Sequence, residues 1–379
     1  ALAVATALWS GLWLAARAAG AAGPVPPPQP APFGWVSDTP ASRTAPADPP
    51  LLPDLSVQWI ERTPRYHRYC VDYSRGLPEL CAGTEDEQRF PEPGEIVTWT
   101  ARVANQGRVA SLAVPVVWQV GEQTALPQAL PALGPGVTAT LAITLPWPAA
   151  PFSLTLSLDP AAGLDEITHT NNARALRSDA LYLEVLVHPL VDAAFGRRPN
   201  LAGSWGFADW MQAQVKAMND NLAASVYPTA PQGATGRVRI DRIAVTEDVG
   251  GGTVQGGLDY DGRWTFRVEP DDPDTPEDEA ERSAESYAAA FAQQIDWGLI
   301  HELTHQIGAI DLYQLNVAGS YQNQVLDGDG RPLLLGFQWP RPDLMGGGDL
   351  GDYPWQRYSE HTVLALQSNT GQRRGYYGE

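Results

Sequence analysis

The chain has 379 residues, of which 44% are apolar, so it can hold more than one domain and is too apolar to be intrinsically disordered. Its formal net charge is −19, and no run of basic residues occurs along the sequence. Nucleic acid and anionic membrane surfaces are therefore excluded as expected partners.

Residues 1–23 form a signal-like apolar segment. Residues 1–16 are a continuous apolar run, and Arg17 and several small residues follow it. This length is typical of the hydrophobic part of a bacterial-type export signal and is short for a membrane span, although a membrane anchor stays open as an alternative. In either case we expect the rest of the chain to be secreted or held at the cell surface.

Residues 24–53 are rich in proline, which predicts an extended, semi-rigid linker. The two cysteines of the chain, Cys70 and Cys81, follow in a loop-like stretch. In an exported protein they are expected to form one disulfide, and two free thiols in a cytosolic protein are the alternative.

Residues 54–178 show the alternation of β-strands. Leu154, Leu156 and Leu158 alternate with polar residues, and other strand-like segments recur about every dozen residues with turn signals between them. This pattern predicts an all-β sandwich. The segments "PDLSV", "TARVANQG", "LGPGVTATLAITLPW" and "LSLDPAAGLDEITHTNNA" resemble the CARDB family, an Ig-like module of bacterial surface and secreted proteins. The resemblance implies a spacer or adhesion module, with the cysteine-containing stretch as an insertion.

Residues 179–379 have a different, α+β character. The sequence predicts strands at "LYLEVLVHP", "RVRIDRIAVTED" and "RWTFRVEP". It also predicts an amphipathic helix capped by Ser204 and a long helix from Arg282 to about Gly308. The predicted fold class is thus multidomain, with a β-sandwich followed by an α+β domain.

The sequence "LIHELTHQIGAIDLY" carries the chemistry of this second region. Because residues four apart share one face of a helix, His301 and His305 can present ring nitrogens to one Zn²⁺. Glu302 can take a proton from a water molecule on that metal. Gly308 can adopt a positive φ at the end of the helix, so that Asp311 reaches the metal as a third ligand. Three protein ligands leave a fourth position open, which is typical of catalytic zinc.

This motif resembles that of the metzincin zinc metallopeptidases, HExxHxxGxxH or HExxHxxGxxD, in its aspartate form. The resemblance implies a zincin-like fold, peptide-bond hydrolysis, and a methionine-containing turn below the metal, for which Met345 in "RPDLMGGGD" is the candidate. Many relatives carry a tyrosine two residues after that methionine, where this chain has Gly347. Tyr353 or Tyr358 could replace it, although packing roles are the simpler interpretation. An alternative zincin layout would use Glu360 as the third ligand.

The predicted function is therefore a zinc-dependent endopeptidase, with a protein or peptide substrate lying along "RWTFRV" as an edge strand. The alternative function is a non-catalytic surface protein whose zincin-like domain binds a partner without cleaving it. In either case the Ig-like domain is expected to associate with a cell surface or matrix. Calcium is the candidate second cofactor, because two groups of residues carry oxygen ligands of the kind it binds: Asp165, Glu166, Asn171 and Asn172 form one group, and Asp327 and Asp329 form the other. The sequence begins without Met, and we expect it to be part of a longer protein.

Overall fold

The computed structural model describes ten ranges of the chain, and all of them belong to one compact unit, residues 46–379. The described ranges are 50–64, 67–72, 79–81, 87–89, 91–122, 124–247, 262–268, 277–309, 343–346 and 356–368. Several predictions lie outside the described residues, namely the signal-like segment 1–23, linker residues 24–49, Asp311, Asp327, Asp329 and Tyr353.

The first region is a β-sandwich of two antiparallel sheets. One sheet has the order β1-β5-β8 and the other has the order β10-β9-β6-β7. Alternate residues of both sheets point into one shared core, in which Trp99, Trp118 and Leu154 are fully buried. The strands are β1 (Leu55–Thr63), β5 (Ile96–Asn105), β6 (Val114–Val120), β7 (Thr124–Leu130), β8 (Thr138–Pro146), β9 (Ser153–Leu158) and β10 (Ala173–Arg177).

A small third sheet, with the order β3-β2-β4, carries the two cysteines. Its strands are β2 (His67–Asp72), β3 (Glu79–Cys81) and β4 (Glu87–Arg89). The stretch predicted to be a loop therefore has extended, paired backbone at both cysteines. Cys70 lies directly opposite Cys81 in the antiparallel register of β2 and β3. This register suits a cross-strand disulfide, which stays a prediction because the two side chains are not among those described.

The second region is α+β and is built on a parallel sheet with the order β12-β11-β13. A helix layer packs against the sheet, because each parallel connection needs a crossover. The shared apolar core includes Trp210, Met211, Phe266 and Met345. The elements are β11 (Leu181–Val187), α1 (Pro189–Gly196), α2 (Phe207–Ala224), β12 (Val238–Val245), β13 (Gly262–Phe266), α3 (Glu277–Phe291), α4 (Trp297–Gln306), a 3₁₀ turn (Leu344–Gly346) and α5 (Glu360–Ser368). None of these described helices has the length and apolar composition needed to cross a membrane.

Two helix predictions are corrected by the structure. The long helix predicted from Arg282 to Gly308 is two helices, α3 and α4, because Asp296 begins a new helix by accepting a hydrogen bond from the Leu299 amide at 3.0 Å. Ser204 does not cap α2. The N-cap is Gly206, with φ of 128° and no side-chain cap, and the Ser204 hydroxyl instead donates to Asp209 at 2.7 Å.

A buried polar network joins the sandwich to the α+β region, and Asp209 of α2 is its centre. Ser56 Oγ of β1 donates to Asp209 Oδ1 at 2.6 Å, and Asn171 Nδ2 donates to Asp209 Oδ2 at 2.8 Å. Gln212, one turn further along α2, donates to the Gln58 carbonyl at 2.7 Å. Because buried polar groups need their partners, these bonds fix the two regions against each other.

Asp54 lies beside this network and makes the stability of the fold depend on pH. It is fully buried, and its Oδ1 accepts from Asn171 Nδ2 at 3.0 Å. Burial raises the pKa of Asp54 to about 7, the Asn171 hydrogen bond lowers it, and the charges of Asp209 and Glu166 raise it further. The folded protein therefore binds more protons than the unfolded chain between the ordinary carboxyl pKa of 3.8 and about 7.

We expect the free energy of unfolding to fall as pH rises from 4 to about 7, by about 2–4 kcal/mol for this group. Asp54→Asn keeps the shape and removes the titration, so it should flatten the pH dependence and raise the melting temperature at pH 8. Thermal melts between pH 5 and 8 measure both effects. Asp165→Asn, which changes an exposed carboxylate in a neighbouring turn, is the control. An undiminished slope in the Asp54 variant would contradict the assignment.

Candidate metal centre

Helix α4 carries three of the predicted site residues and brings them together. Its apolar side, formed by Leu299, Ile300 and Leu303, is buried in the core. On its other side, His301 and His305 stack edge to face, with ring centroids 4.9 Å apart. Ligand atoms of His301, Glu302 and His305 lie within 4.8 Å of one another. This arrangement follows from the spacing of the two histidines, which puts both rings on one helix face.

Both histidines have a ring nitrogen held by a backbone carbonyl. His301 Nδ1 lies 3.0 Å from the Leu344 carbonyl oxygen, and His305 Nδ1 lies 3.0 Å from the Ala309 carbonyl oxygen. Since a carbonyl can only accept, each Nδ1 is the donor, and in the neutral imidazole each Nε2 then carries the lone pair. Histidines that bind metals are commonly held by such a hydrogen bond on the other ring nitrogen. The donor set and its tautomers therefore fit a zinc ion.

Glu302 lies at the open side of this cluster. Its side chain is 42% exposed, compared with 18% for His305, and its Oε2 lies 4.0 Å from His305 Nε2. If the two imidazoles held a metal, this carboxylate would lie beside it. The geometry therefore suits a proton acceptor, which is the role predicted for Glu302.

The chain turns sharply at the end of α4. Gly308 has φ of 99°, in the left-handed region, and its amide donates to the His305 carbonyl at 2.9 Å. This turn places the Ala309 carbonyl where it meets His305 Nδ1. The predicted third ligand, Asp311, comes two residues later and lies outside the described residues, so its role stays a prediction.

Met345 lies in the 3₁₀ turn and is fully buried in the core. The residue before it, Leu344, supplies the carbonyl that holds His301. The methionine turn is therefore in direct contact with the helix that carries the histidines, and its backbone orients one of the predicted ligands.

Asp343 organises this turn, and the sequence interpretation did not identify it. Its buried carboxylate accepts hydrogen bonds from the Met345 amide, the Ser359 amide and the Thr362 hydroxyl, each at 2.7 Å. It thus ties the 3₁₀ turn to the first turn of α5. The one available clue was the spacing in "PDLM", because an aspartate often accepts from the amide two residues further on.

Glu360, the alternative third ligand, and Tyr358, one of the two candidate tyrosines, both make contacts outside the histidine cluster. Glu360 does not belong to the cluster of His301, Glu302 and His305, and its carboxylate accepts a hydrogen bond from the Thr229 hydroxyl. Tyr358 is buried, and its hydroxyl lies 2.7 Å from Thr304 Oγ1 on α4. Within the described ranges, Glu360 is therefore not placed as a third ligand, and Tyr358 has a packing role.

A cavity of about 470 Å³ lies beside Glu302, between β13, α3 and the start of α4. Its walls include four aromatic side chains, those of Trp264, Phe266, Tyr287 and Phe291. This volume falls within the range of small-ligand pockets, and the walls suit an apolar group.

The predicted calcium ligands of the sandwich make internal hydrogen bonds. Glu166 accepts from the Leu55 amide at 2.6 Å and from Asn172 Nδ2 at 2.8 Å. Asn171 joins Asp54 to Asp209. Among the described residues, the one group of three or more histidine, cysteine or acidic side chains placed to hold a metal is His301, Glu302 and His305.

Comparison with known proteins identifies one domain of the chain. Residues 77–176 match the model of the CARDB family. The chain thus contains a CARDB domain, with its Ig-like fold. The described sandwich begins before the matched residues, because strand β1 (Leu55–Thr63) pairs with β5. No curated protein is detectably similar in sequence to this chain.

Among solved structures, the CARDB domain of a Pyrococcus furiosus protein in complex with di-metal ions is 14% identical, covering 33% of this chain and 86% of that one, with a TM-score of 0.23. A domain of a Methanosarcina acetivorans protein described as a cell surface protein is 19% identical, covering 33% and 90%, with a TM-score of 0.22.

Proposed function

We propose that this chain is a zinc-dependent endopeptidase that is secreted or held at the cell surface. The observation that carries the proposal is the pair of hydrogen bonds from His301 Nδ1 and His305 Nδ1 to backbone carbonyls, next to the carboxylate of Glu302. With both Nδ1 atoms used in this way, the Nε2 atoms of the neutral rings are the ligand atoms that would bind a metal beside a partly exposed base. A helix whose histidines only pack would not need both rings held in the same tautomer.

In this proposal His301 and His305, with Asp311, hold the metal. Bound zinc supplies a Lewis acid that polarises the scissile carbonyl and makes a water molecule more acidic. Glu302 takes the proton of the attacking water and passes it to the leaving amine. The Leu344 carbonyl would fix the ring of His301 for metal binding, and Met345, the next residue of the same turn, is buried in the core.

The substrate is proposed to lie along β13. Among the described strands, β13 is at the end of the order β12-β11-β13, so its outer side is available for pairing with an extended peptide. The aromatic cavity beside Glu302 is formed in part by Trp264 and Phe266 of this strand. A bulky apolar side chain next to the scissile bond would fit that cavity.

Metal analysis and a protease assay test the proposal together. We expect about one zinc per chain, and hydrolysis of an unfolded protein that a chelator abolishes and added zinc restores. A chain that binds zinc and cleaves no peptide bond would instead support a non-catalytic binding protein.

The third ligand has its own test. Asp311→Ala should weaken zinc binding by at least about tenfold, because a catalytic site loses one of its three protein ligands. Glu360→Ala is the matched control, since its carboxylate is bonded to Thr229. Zinc affinities are measured by competition with a chromogenic chelator. The opposite result, with zinc lost only in the Glu360 variant, would reassign the ligand.

A further inference from the structure

A second cavity, of about 500 Å³, lies between the sandwich and the α+β region, against β10, α2 and β12. Its lining contains five basic residues and no acidic residue: Arg174, Arg177, Lys216, Arg237 and Arg239. This composition is opposite to that of the whole chain, which has 44 acidic and 25 basic residues. The cavity shares no lining residue with the metal cluster.

Two of the five basic residues have fixed structural roles. Arg239 donates to Asp241 at 2.6 Å and to the Arg177 carbonyl at 3.0 Å. Arg174 donates to the Val57 carbonyl at 2.9 Å. These two side chains contribute positive charge to the cavity, but their hydrogen bonds are committed to the protein.

The other three basic residues are available to a ligand. Lys216 is paired with the exposed carboxylate of Asp220, and Arg177 donates through Nε and Nη2 to Asp179 at 2.9 and 2.6 Å, which leaves its Nη1 for a ligand. Exposed single-point ion pairs contribute about 0–1 kcal/mol, so an incoming anion can compete with Asp220 for Lys216.

Arg237 is the key residue of the three. Its Nη1 donates to the Ala234 and Gly236 carbonyls, each at 2.6 Å, which fixes the plane of the guanidinium. Burial, followed by the positive charge of Arg177, lowers the pKa of Arg237. The carboxylates of Asp179 and Asp220 act in the opposite direction but do not outweigh these two effects, so an anion in the cavity beside Arg237 would further stabilise its charged form.

We propose that this cavity, defined as the junction cavity, binds a small ligand through a tetrahedral oxyanion, a phosphate or sulfate group. Arg237 would hold the oxyanion through its Nε and Nη2 donors, because this side of a guanidinium matches two oxygen atoms, while Arg177 would donate through Nη1 and Lys216 would add a point charge. The cavity is larger than the oxyanion, and its apolar walls, which include Leu176 and Ile240, leave room for the body of the ligand.

Calorimetric titration of the full chain tests this proposal, with sodium sulfate and sodium phosphate as probes and sodium chloride at equal ionic strength as the reference. We expect saturable binding of sulfate or phosphate and none of chloride. Arg237→Gln and, separately, Arg177→Gln should weaken binding by about tenfold or more. Arg197→Gln is the matched control, since Arg197 and Arg177 are 45% and 46% exposed and each is paired with a carboxylate.

A glucose phosphate and a glucose sulfate, used as further probes, show which ester the cavity prefers. Arg177→Gln keeps the test valid if Arg237→Gln fails to fold, because Arg177 is exposed. Zinc content and proteolysis should be unchanged in both variants, so this proposal can fail while the proposed function stands. Equal effects of chloride and sulfate, or an equal loss in Arg197→Gln, would overturn it.

Discussion

Replacing Glu302 with glutamine is expected to lower the rate of peptide hydrolysis by about 10²–10⁴-fold, because the variant has no group that accepts the proton of the attacking water. The zinc content should stay near one per chain, since His301 and His305 are unchanged and the glutamine has nearly the same volume. The effect should appear in kcat rather than in KM, because the interaction is made in the transition state. Steady-state kinetics together with metal analysis measures the three quantities.

Glu281→Gln is a suitable control for this change. Glu281 lies on α3 and has a side chain that is 58% exposed, so its substitution changes the charge of the chain by the same amount away from the cluster. We expect it to keep its activity within about twofold of the parent chain, as is usual for exposed substitutions. Unchanged hydrolysis in the Glu302 variant would show that the residue is not the base.

Replacing Asp343 with alanine is expected to lower the free energy of unfolding by about 3–5 kcal/mol. The buried carboxylate accepts three hydrogen bonds, and its removal leaves the Met345 amide, the Ser359 amide and the Thr362 hydroxyl without their acceptor. Denaturant unfolding in the presence of a chelator measures this loss without the contribution of a metal. Asp220→Ala, at an exposed position of α2, is the control and should change stability by less than about 0.5 kcal/mol.

The same variant should also affect the metal. Because Asp343 holds the turn whose Leu344 carbonyl orients His301, its loss should weaken zinc binding by about 10–100-fold. Asp343→Asn keeps one side-chain carbonyl oxygen as an acceptor. Its free energy of unfolding and its zinc affinity should therefore lie between those of the parent chain and the alanine variant. A stability loss below about 1 kcal/mol in the alanine variant would show that the turn does not depend on Asp343.

Local patterns in the sequence predict the sandwich well, because the apolar residues that alternate with polar ones along a strand are those that face the core. Leu154, Leu156 and Leu158 were expected to share one face, and all three are buried. The same kind of reasoning failed between α3 and α4. Apolar spacing continues across that region, and the break depends on Asp296 using its carboxylate as a cap instead of facing solvent.

Contacts between distant residues account for most of what the sequence could not show. The spacing of His301 and His305 predicts that their rings meet, but the acceptor of His301 is 43 residues away at Leu344. The helical pattern around Asp209 likewise gives no indication of its partners Ser56 and Asn171, which belong to the sandwich and are 153 and 38 residues away in the sequence. Periodicity contains no information about such pairs.

The buried network around Asp209 has a consequence for how this protein can be divided. If the sandwich were removed at residue 178, the Asp209 carboxylate would lose Ser56 and Asn171, and Gln212 would lose the Gln58 carbonyl. CARDB modules can serve as interchangeable spacers only where their boundaries are exposed and make few contacts. Here the boundary is part of the interior, so we expect each region to be less stable when it is produced without the other.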